Sequence, residues 1–218
     1  MHPTLSLLIA LLSIGHIHAQ LNFSLANDIT HSLPVRINKE DSVSVLRFYI
    51  SDVHIEDGKK IIWKAEKQHY LIDFNRARLQ SNIITGPNLE NIKNGRLKFT
   101  LGIDKNTASQ GIGEGPLDPI QGMYWTWQSG YINFKFEGVS SQCPSRKNRF
   151  QMHLGGFQKP FRSAQSVELQ IRETNTQVVF NLNKFMSKIN LKEEHTIMSP
   201  NEKAVSLMKL AKSCFYVQ

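Results

Sequence analysis

The sequence predicts an all-β fold: a β-sandwich of short antiparallel strands, with one α-helix packed on it near the C-terminus. Two observations support this prediction. Short runs rich in β-branched and aromatic residues recur along the chain, separated by turn-forming pairs such as Asp57-Gly58. One stretch close to the C-terminus combines apolar residues at helical spacing with a strong helix-start signal.

Nine segments have the length and composition of β-strands. They cover residues 44–50, 53–56, 61–63, 69–73, 96–104, 123–137, 149–154, 166–172 and 177–182. The 218 residues are enough for one domain with a hydrophobic core.

The predicted C-terminal helix begins at Ser199. Ser199 is an N-cap candidate, Pro200 occupies the first helical position, and Glu202 completes a capping box. The apolar residues that follow at helical spacing are Ala204, Leu207, Met208 and Ala211. They predict one face packed on the sandwich. A weaker helical pattern covers residues 182–190.

Residues 1–19 have the pattern of a signal peptide. Leu5 to Ile17 are apolar but too few to span a membrane, and Ala19 before Gln20 is a small-residue cleavage point. We therefore expect a secreted or periplasmic protein whose single domain covers residues 20–218, with no transmembrane segment.

The chain is basic, with a formal net charge of +8 at pH 7. Its lysines and arginines are scattered along the sequence, as on a solvated surface. We therefore expect no nucleic-acid partner. For an exported protein, this charge points to acidic polysaccharides, anionic lipid surfaces or acidic proteins as partners.

Two of the three tryptophans, Trp125 and Trp127, are two residues apart. In one continuous strand they would share a face with Tyr131. Such an aromatic row either fills a core or forms the wall of a site.

The two cysteines, Cys143 and Cys214, are expected to form a disulfide in an oxidising compartment. The bond would close a loop of roughly 70 residues and contribute on the order of 4 kcal/mol. Two free thiols, or a thiolate metal ligand, are the alternatives.

The segment from Lys105 to Pro119 is predicted to be a long irregular loop. Four oxygen donors in or beside it could hold a structural calcium ion: Asp104, Asn106, Glu114 and Asp118. Alternatively, they are ordinary turn residues. No spacing among the carboxylates identifies an acid–base pair, and no Gly-x-Ser-x-Gly elbow occurs, so we expect no enzyme activity.

Several stretches together resemble the MbnP-like family of secreted copper-binding proteins. In chain order they are LRFYISDV (46–53), YLID (70–73), FTLGID (99–104), GMYWTWQSGYI (122–132), HLGG (153–156) and IMSP (197–200). The resemblance runs from about residue 21 to the C-terminus. It implies an exported copper-binding protein with a β-sandwich fold.

The resemblance also implies particular site residues. His153 stands where the family carries a histidine and is the first ligand candidate, with His54, His69 and Met123 as further donors. Two other places where methanotroph-type members carry histidines hold Ser51 and Thr107 here.

The tryptophan pair is a second feature that the resemblance implicates. In some members a MauG-like dihaem peroxidase oxidises one tryptophan to kynurenine at the copper site. Trp125 and Trp127 are the matching candidates. The alternative function is an extracellular interaction module without a transition metal, with the aromatic row as core.

Overall fold

The computed structural model describes residues 20–26, 33–75, 83–86, 92, 95–127, 130–171 and 177–218. The predicted signal peptide, residues 1–19, lies outside the described residues. In the described part the strands are β1 (Gln20–Leu25), β2 (Val35–Arg36), β3 (Asp41–Asp57), β4 (Lys60–Lys64), β5 (His69–Asp73), β6 (Ile83–Thr85), β7 (Gly95–Leu101), β8 (Tyr124–Trp125), β9 (Gly130–Ser140), β10 (Arg149–Gly155), β11 (Gln165–Ile171), β12 (Gln177–Phe180), β13 (Thr196–Ile197) and β14 (Phe215–Val217). The helices are α1 (Lys105–Ser109), α2 (Leu182–Met186) and α3 (Glu202–Lys212).

The larger sheet is built around β3. Its hydrogen-bonded order is β11-β7-β3-β9-β10-β13, and β2, β4 and β5 also pair with β3. The sequence predicts two strands, 44–50 and 53–56, where the structure has one strand of 17 residues. Asp52, with a φ of 52°, lies where the register of β3 against β7 shifts between Ser51 and His54. The polar break in the sequence is thus a bulge within one strand.

The smaller sheet has the order β14-β12-β1-β6 and shares a hydrophobic core with the larger one. Aromatic rings fill much of that core: Phe48 stacks on Phe134 with centroids 5.6 Å apart, and Phe180 and Phe215 pack against Phe48. This arrangement confirms the predicted sandwich-like all-β fold. The β1–β12 and β10–β13 pairs are parallel, whereas the sequence predicts antiparallel pairing throughout.

Helix α3 confirms the predicted C-terminal helix, but its start differs from the prediction. The N-cap is Asn201, whose side-chain oxygen accepts a hydrogen bond from the Ala204 amide at 2.8 Å. An Asn cap therefore replaces the predicted Ser199 cap. The four apolar residues of the predicted face are all buried, and α3 packs on β10 and β11. Among the described residues, no helix is long and apolar enough to cross a membrane.

The tryptophan segment is a hairpin, so the prediction of one continuous strand over 123–137 is wrong. Tyr124 pairs with Tyr131 and Trp125 with Gly130, while Trp127 lies in the turn beyond β8. The two indoles therefore do not share a strand face: Trp125 is 4% exposed and Trp127 is 65% exposed. Their ring centroids are 6.0 Å apart.

Trp125 belongs to a second, smaller core on the opposite face of the larger sheet. Tyr49, which alternates with Phe48 along β3, enters this second core. The other buried members are Ile103, Ala108, Leu117, Met123, Trp125, Tyr131 and Ile132. The segment between β7 and β8 thus packs on the sheet through its apolar side chains.

The predicted disulfide is not formed, because Cys143 and Cys214 are free, buried thiols. Cys143 lies in a turn after β9, where its amide donates to the Ser140 carbonyl oxygen at 3.0 Å. The Cys214 thiol donates to the Leu210 carbonyl oxygen at 3.3 Å, in the turn that ends α3. Burial raises the pKa of both thiols. Each cysteine is therefore held by its own turn, as a small buried side chain.

Candidate metal centre and ligand groove

His69 lies where β3, β5 and α1 meet. On β5 it pairs with Ser51 of β3, and the first turn of α1 places Thr107 on its other side. The His69 Nδ1 atom lies 3.2 Å from Ser51 Oγ, and its Nε2 atom lies 3.3 Å from Thr107 Oγ1. Ser51 and Thr107 occupy the places where the resemblance implies histidines. The structure thus brings both positions together around His69.

The directions of the hydrogen bonds around His69 follow from where the Ser51 and Thr107 hydroxyls donate their single protons. The Ser51 hydroxyl donates to the Gly102 carbonyl oxygen at 2.7 Å, so His69 Nδ1 must donate to Ser51 Oγ. The Thr107 hydroxyl lies 2.6 Å from Asp104 Oδ2 and donates to that carboxylate. A neutral His69 therefore keeps the lone pair of Nε2, and that lone pair faces an oxygen whose proton is already used.

The protonation states at this cluster suit a cation. Burial lowers the pKa of His69 below its ordinary value, although the nearby Asp104 charge opposes this shift. Burial alone would raise the pKa of Asp104, but hydrogen bonds from the Thr107 hydroxyl and amide and the Asn106 amide outweigh it and lower that pKa. Near neutral pH the cluster thus has a neutral imidazole and an ionised carboxylate.

His153, the first ligand candidate, lies in a different environment. It is buried on β10, and its Nε2–H donates to Glu137 Oε1 at 2.7 Å. Lys135 Nζ lies 3.7 Å from the same oxygen. The His153 hydrogen bond is the main cause that lowers the pKa of Glu137.

His153 belongs to a row of ionisable residues across the larger sheet. The row runs through Asp73, Arg47, Lys135 and His153, which are directly paired on neighbouring strands. Arg47 also donates to the Gln121 carbonyl oxygen and Lys135 to that of Gly122. The row therefore fixes the segment that leads into the tryptophan hairpin.

The other predicted metal donors are also held by local contacts. His54 donates from Nδ1 to the Asp52 carbonyl oxygen at 2.8 Å, and its Nε2 lies 3.4 Å from Glu56 Oε1. Met123 is fully buried in the second core. Across the described ranges, no three His, Cys, Asp or Glu side chains lie close enough together to hold a metal ion. The structure therefore does not bring His153, His54, His69 and Met123 into one site.

The predicted calcium loop has more regular structure than the sequence predicts. It contains α1 and two 3₁₀ turns, Gly115–Leu117 and Pro119–Gln121. Asp104 caps α1, and Asp118 caps the second 3₁₀ turn by accepting from the Ile120 amide at 2.9 Å. The Asn106 and Glu114 side chains are exposed. The carboxylates of Asp104 and Asp118 thus act as caps.

A groove of about 500 Å³ lies beside the tryptophan hairpin. Its wall includes Trp125, Phe157, Lys159, Phe161 and Pro200. The Trp125 indole Nε1 is buried and has no hydrogen-bond partner in the part of the chain that the structure describes. The sequence patterns do not predict this groove, although the run from Gly155 to Phe161, with two glycines, a proline and two phenylalanines, is a signal for an aromatic loop.

Two glycines allow the walls of the groove to approach each other. A Cβ atom on Gly155 would lie 2.4 Å from the Tyr131 carbonyl oxygen and 2.6 Å from the Trp125 ring. A Cβ atom on Gly156, where φ is +117°, would lie 2.3 Å from the Phe161 carbonyl oxygen. Larger residues at either place would force the walls apart.

Comparisons with known proteins agree with this fold. A family model described as MbnP matches residues 14–199. The structure is similar to that of MbnP from Methylosinus trichosporium, with a TM-score of 0.52 and 14% sequence identity, over 80% of this chain and 78% of that one. At 14% sequence identity, this structural similarity is evidence for a shared fold alone. A search of curated proteins finds no match. Because the family model covers most of the chain, this protein belongs to the MbnP family.

Proposed function

We propose that this protein binds copper without catalysing a reaction, and that its capture point is His69 with Asp104. One observation carries the proposal: Ser51 and Thr107, where the resemblance implies histidines, contact the two ring nitrogens of His69. The family's site position thus has one imidazole here, contributed by β5.

The donors at this position fit a single borderline cation. The His69 Nε2 lone pair has no proton to accept from Thr107, and the Asp104 carboxylate supplies a negative charge beside it. Imidazole suits copper, whereas hydroxyl and carboxylate oxygens are harder donors. This set favours Cu(II) over Cu(I). His69 Nε2 and an Asp104 oxygen would hold the ion, and bound copper would supply an exchangeable centre for capture and release.

A second part of the proposal concerns oxidation of the tryptophan pair. If a MauG-like dihaem peroxidase oxidises a tryptophan, Trp127 is the expected target, because it is 65% exposed while Trp125 is buried. The peptide that contains Trp127, from protein made in its native host, would then gain the mass of one oxygen and lose that of one carbon. The mass of the whole protein also tests export, since cleavage after Ala19 removes residues 1–19.

The test of copper binding is a titration of the apo-protein with Cu(II) in competition with a chelator of known affinity. The wild type should bind one ion. His69→Ala should weaken binding at least about tenfold, because the only imidazole of the site is lost. Circular dichroism and thermal unfolding would show that the variant is folded.

His153→Gln is the matched control, since it keeps a side chain that can donate to Glu137. It should bind copper like the wild type. Loss of copper in His153→Gln with unchanged binding in His69→Ala would contradict the proposal and support His153, the first ligand candidate from the sequence. Absence of binding in the wild type would favour the interaction-module function.

A further inference from the structure

The loop that forms one wall of the groove is held in a defined shape. The Ser163 amide and hydroxyl both donate to the Gly156 carbonyl oxygen, at 3.0 and 3.2 Å, and so close the loop over residues 156–163. Asn133 Nδ2 donates to Ser163 Oγ at 2.8 Å, and Asn133 Oδ1 accepts from the Ile103 amide at 2.9 Å. Asn133 and Ser163 are buried. The groove is therefore preformed, as ligand sites usually are.

The surface beside this loop is aromatic and open to solvent. Trp127 is 65% exposed and its ring lies beside that of Trp125, which lines the groove. Phe161, which also lines the groove, is 38% exposed. Exposed flat rings of this kind bind ligands that have one apolar face and polar edges. An open groove does not enclose an acyl chain, but it can hold a sugar ring, whose C–H face is apolar and whose hydroxyls lie at the edge.

The charge of the groove indicates the charge of the ligand that it can bind. Lys159 lines it, Arg162 is exposed on the same loop, and none of the described residues that line it is acidic. The whole chain has a net charge of +8. An anionic ligand is therefore favoured, both by the local lysine and by attraction over a longer range. A cation over the aromatic rings would be repelled by Lys159.

From these observations we infer that the groove binds a short acidic oligosaccharide, with sugar rings against Trp127 and Phe161 and a carboxylate paired with Lys159. The volume of about 500 Å³ lies within the range of about 300–1,000 Å³ that small-ligand sites occupy. The groove lining shares no residue with the His69 cluster, and the proposed ligand needs no metal.

The experiment is isothermal titration calorimetry of the full chain with tetragalacturonate, and with cellotetraose as the neutral probe. The wild type should bind the acidic probe at least about tenfold more tightly than the neutral one. Trp127→Ala should weaken binding of the acidic probe about tenfold or more, since an exposed aromatic platform is lost. Lys159→Ala should weaken it about fivefold and reduce its salt dependence.

Two substitutions outside the groove lining are matched controls: Tyr216→Ala removes an exposed aromatic ring, and Lys209→Ala removes an exposed lysine. Neither should change the affinity. The inference is overturned if tetragalacturonate does not bind, if cellotetraose binds as tightly, or if Trp127→Ala and Tyr216→Ala have the same effect. Tighter binding of an acidic proline-rich peptide would also overturn it, in favour of a protein partner.

Discussion

His153 and His69 lie on the same sheet but differ in how their hydrogen bonds are completed. His153 donates from Nε2 to an ionised carboxylate, with Lys135 beside it, so this nitrogen is already used in the fold. His69 lies between two hydroxyls whose protons point away from it, toward Gly102 and Asp104. A neutral His69 therefore has an acceptor nitrogen without a donor.

This difference shows how a structural histidine can be told from a candidate ligand. The distances alone do not separate them, since both rings have polar neighbours within hydrogen-bond range. The two histidines are distinguished by the direction of each hydrogen bond, because a hydroxyl that already donates elsewhere cannot also donate to the ring. Four substitutions or measurements test this distinction, and the expected effect decreases from the first to the last.

Thr107→His should raise copper affinity about 100-fold, which corresponds to about 2.7 kcal/mol. Thr107 lies 3.3 Å from His69 Nε2, so a second imidazole would join the first, and Asp104 would lose its hydroxyl partner and become available. A chelator-competition titration measures the change. The assignment of His69, and not His153, as the copper ligand would be wrong if Thr107→His bound copper no better than the wild type while Lys135→His, beside His153, bound it better.

His153→Ala should lower the free energy of unfolding by about 1–3 kcal/mol, because it removes a charge-assisted hydrogen bond and leaves Glu137 with less compensation. Chemical denaturation measures the loss. Copper affinity should not change. An alanine variant as stable as the wild type would show that the His153–Glu137 hydrogen bond contributes little to folding.

Asp104→Asn should weaken copper binding about tenfold, or about 1.4 kcal/mol, by removing the negative charge beside His69. The amide oxygen of asparagine can still cap α1, so the fold should be retained. Asp118→Asn, at the cap of the 3₁₀ turn that begins at Pro119, is the control and should bind copper normally. Equal losses in both variants would point to a general effect of net charge.

The smallest effect should be a pH dependence of stability that His69 causes in the absence of metal. Burial lowers the pKa of His69 in the folded protein. The stability that the neutral imidazole contributes is therefore fully present above the ordinary pKa of 6.5, and it is lost as pH falls through the lower pKa of the folded state. The free energy of unfolding should therefore fall more in the wild type than in His69→Gln between about pH 7.5 and about pH 5. Parallel curves for the two proteins would contradict this.

Much of the fold could be predicted from local patterns. The strands follow β-branched and aromatic runs, and the buried face of α3 follows helical spacing, because both depend on residues close in sequence. The hairpin at Trp125 could not be recognised in the same way, since a run of aromatic residues reads as one strand whether or not the chain turns. The disulfide prediction failed because two cysteines and an oxidising compartment contain no information on where each thiol lies in the fold.

The candidate sites were harder to predict, because they depend on the pairing of distant segments. His69 meets Ser51 across 18 positions of sequence and Thr107 across 38. The contacts require the register of β5 on β3 and the placement of α1. The resemblance identified Ser51 and Thr107 as positions of interest, but only the structure shows that His69 lies between them.

The central place of β3 has a consequence for how the chain folds. This strand pairs with β4 and β5, which follow it closely, and also with β9, where Ser44 and Glu137 are joined across 93 positions. Loop-closure entropy opposes that last pairing until local hairpins have formed, and such a high contact order slows folding. We therefore expect β3 to pair early with β4 and β5. The pairing of β9 with β3 should be the slow step, and it completes both hydrophobic cores.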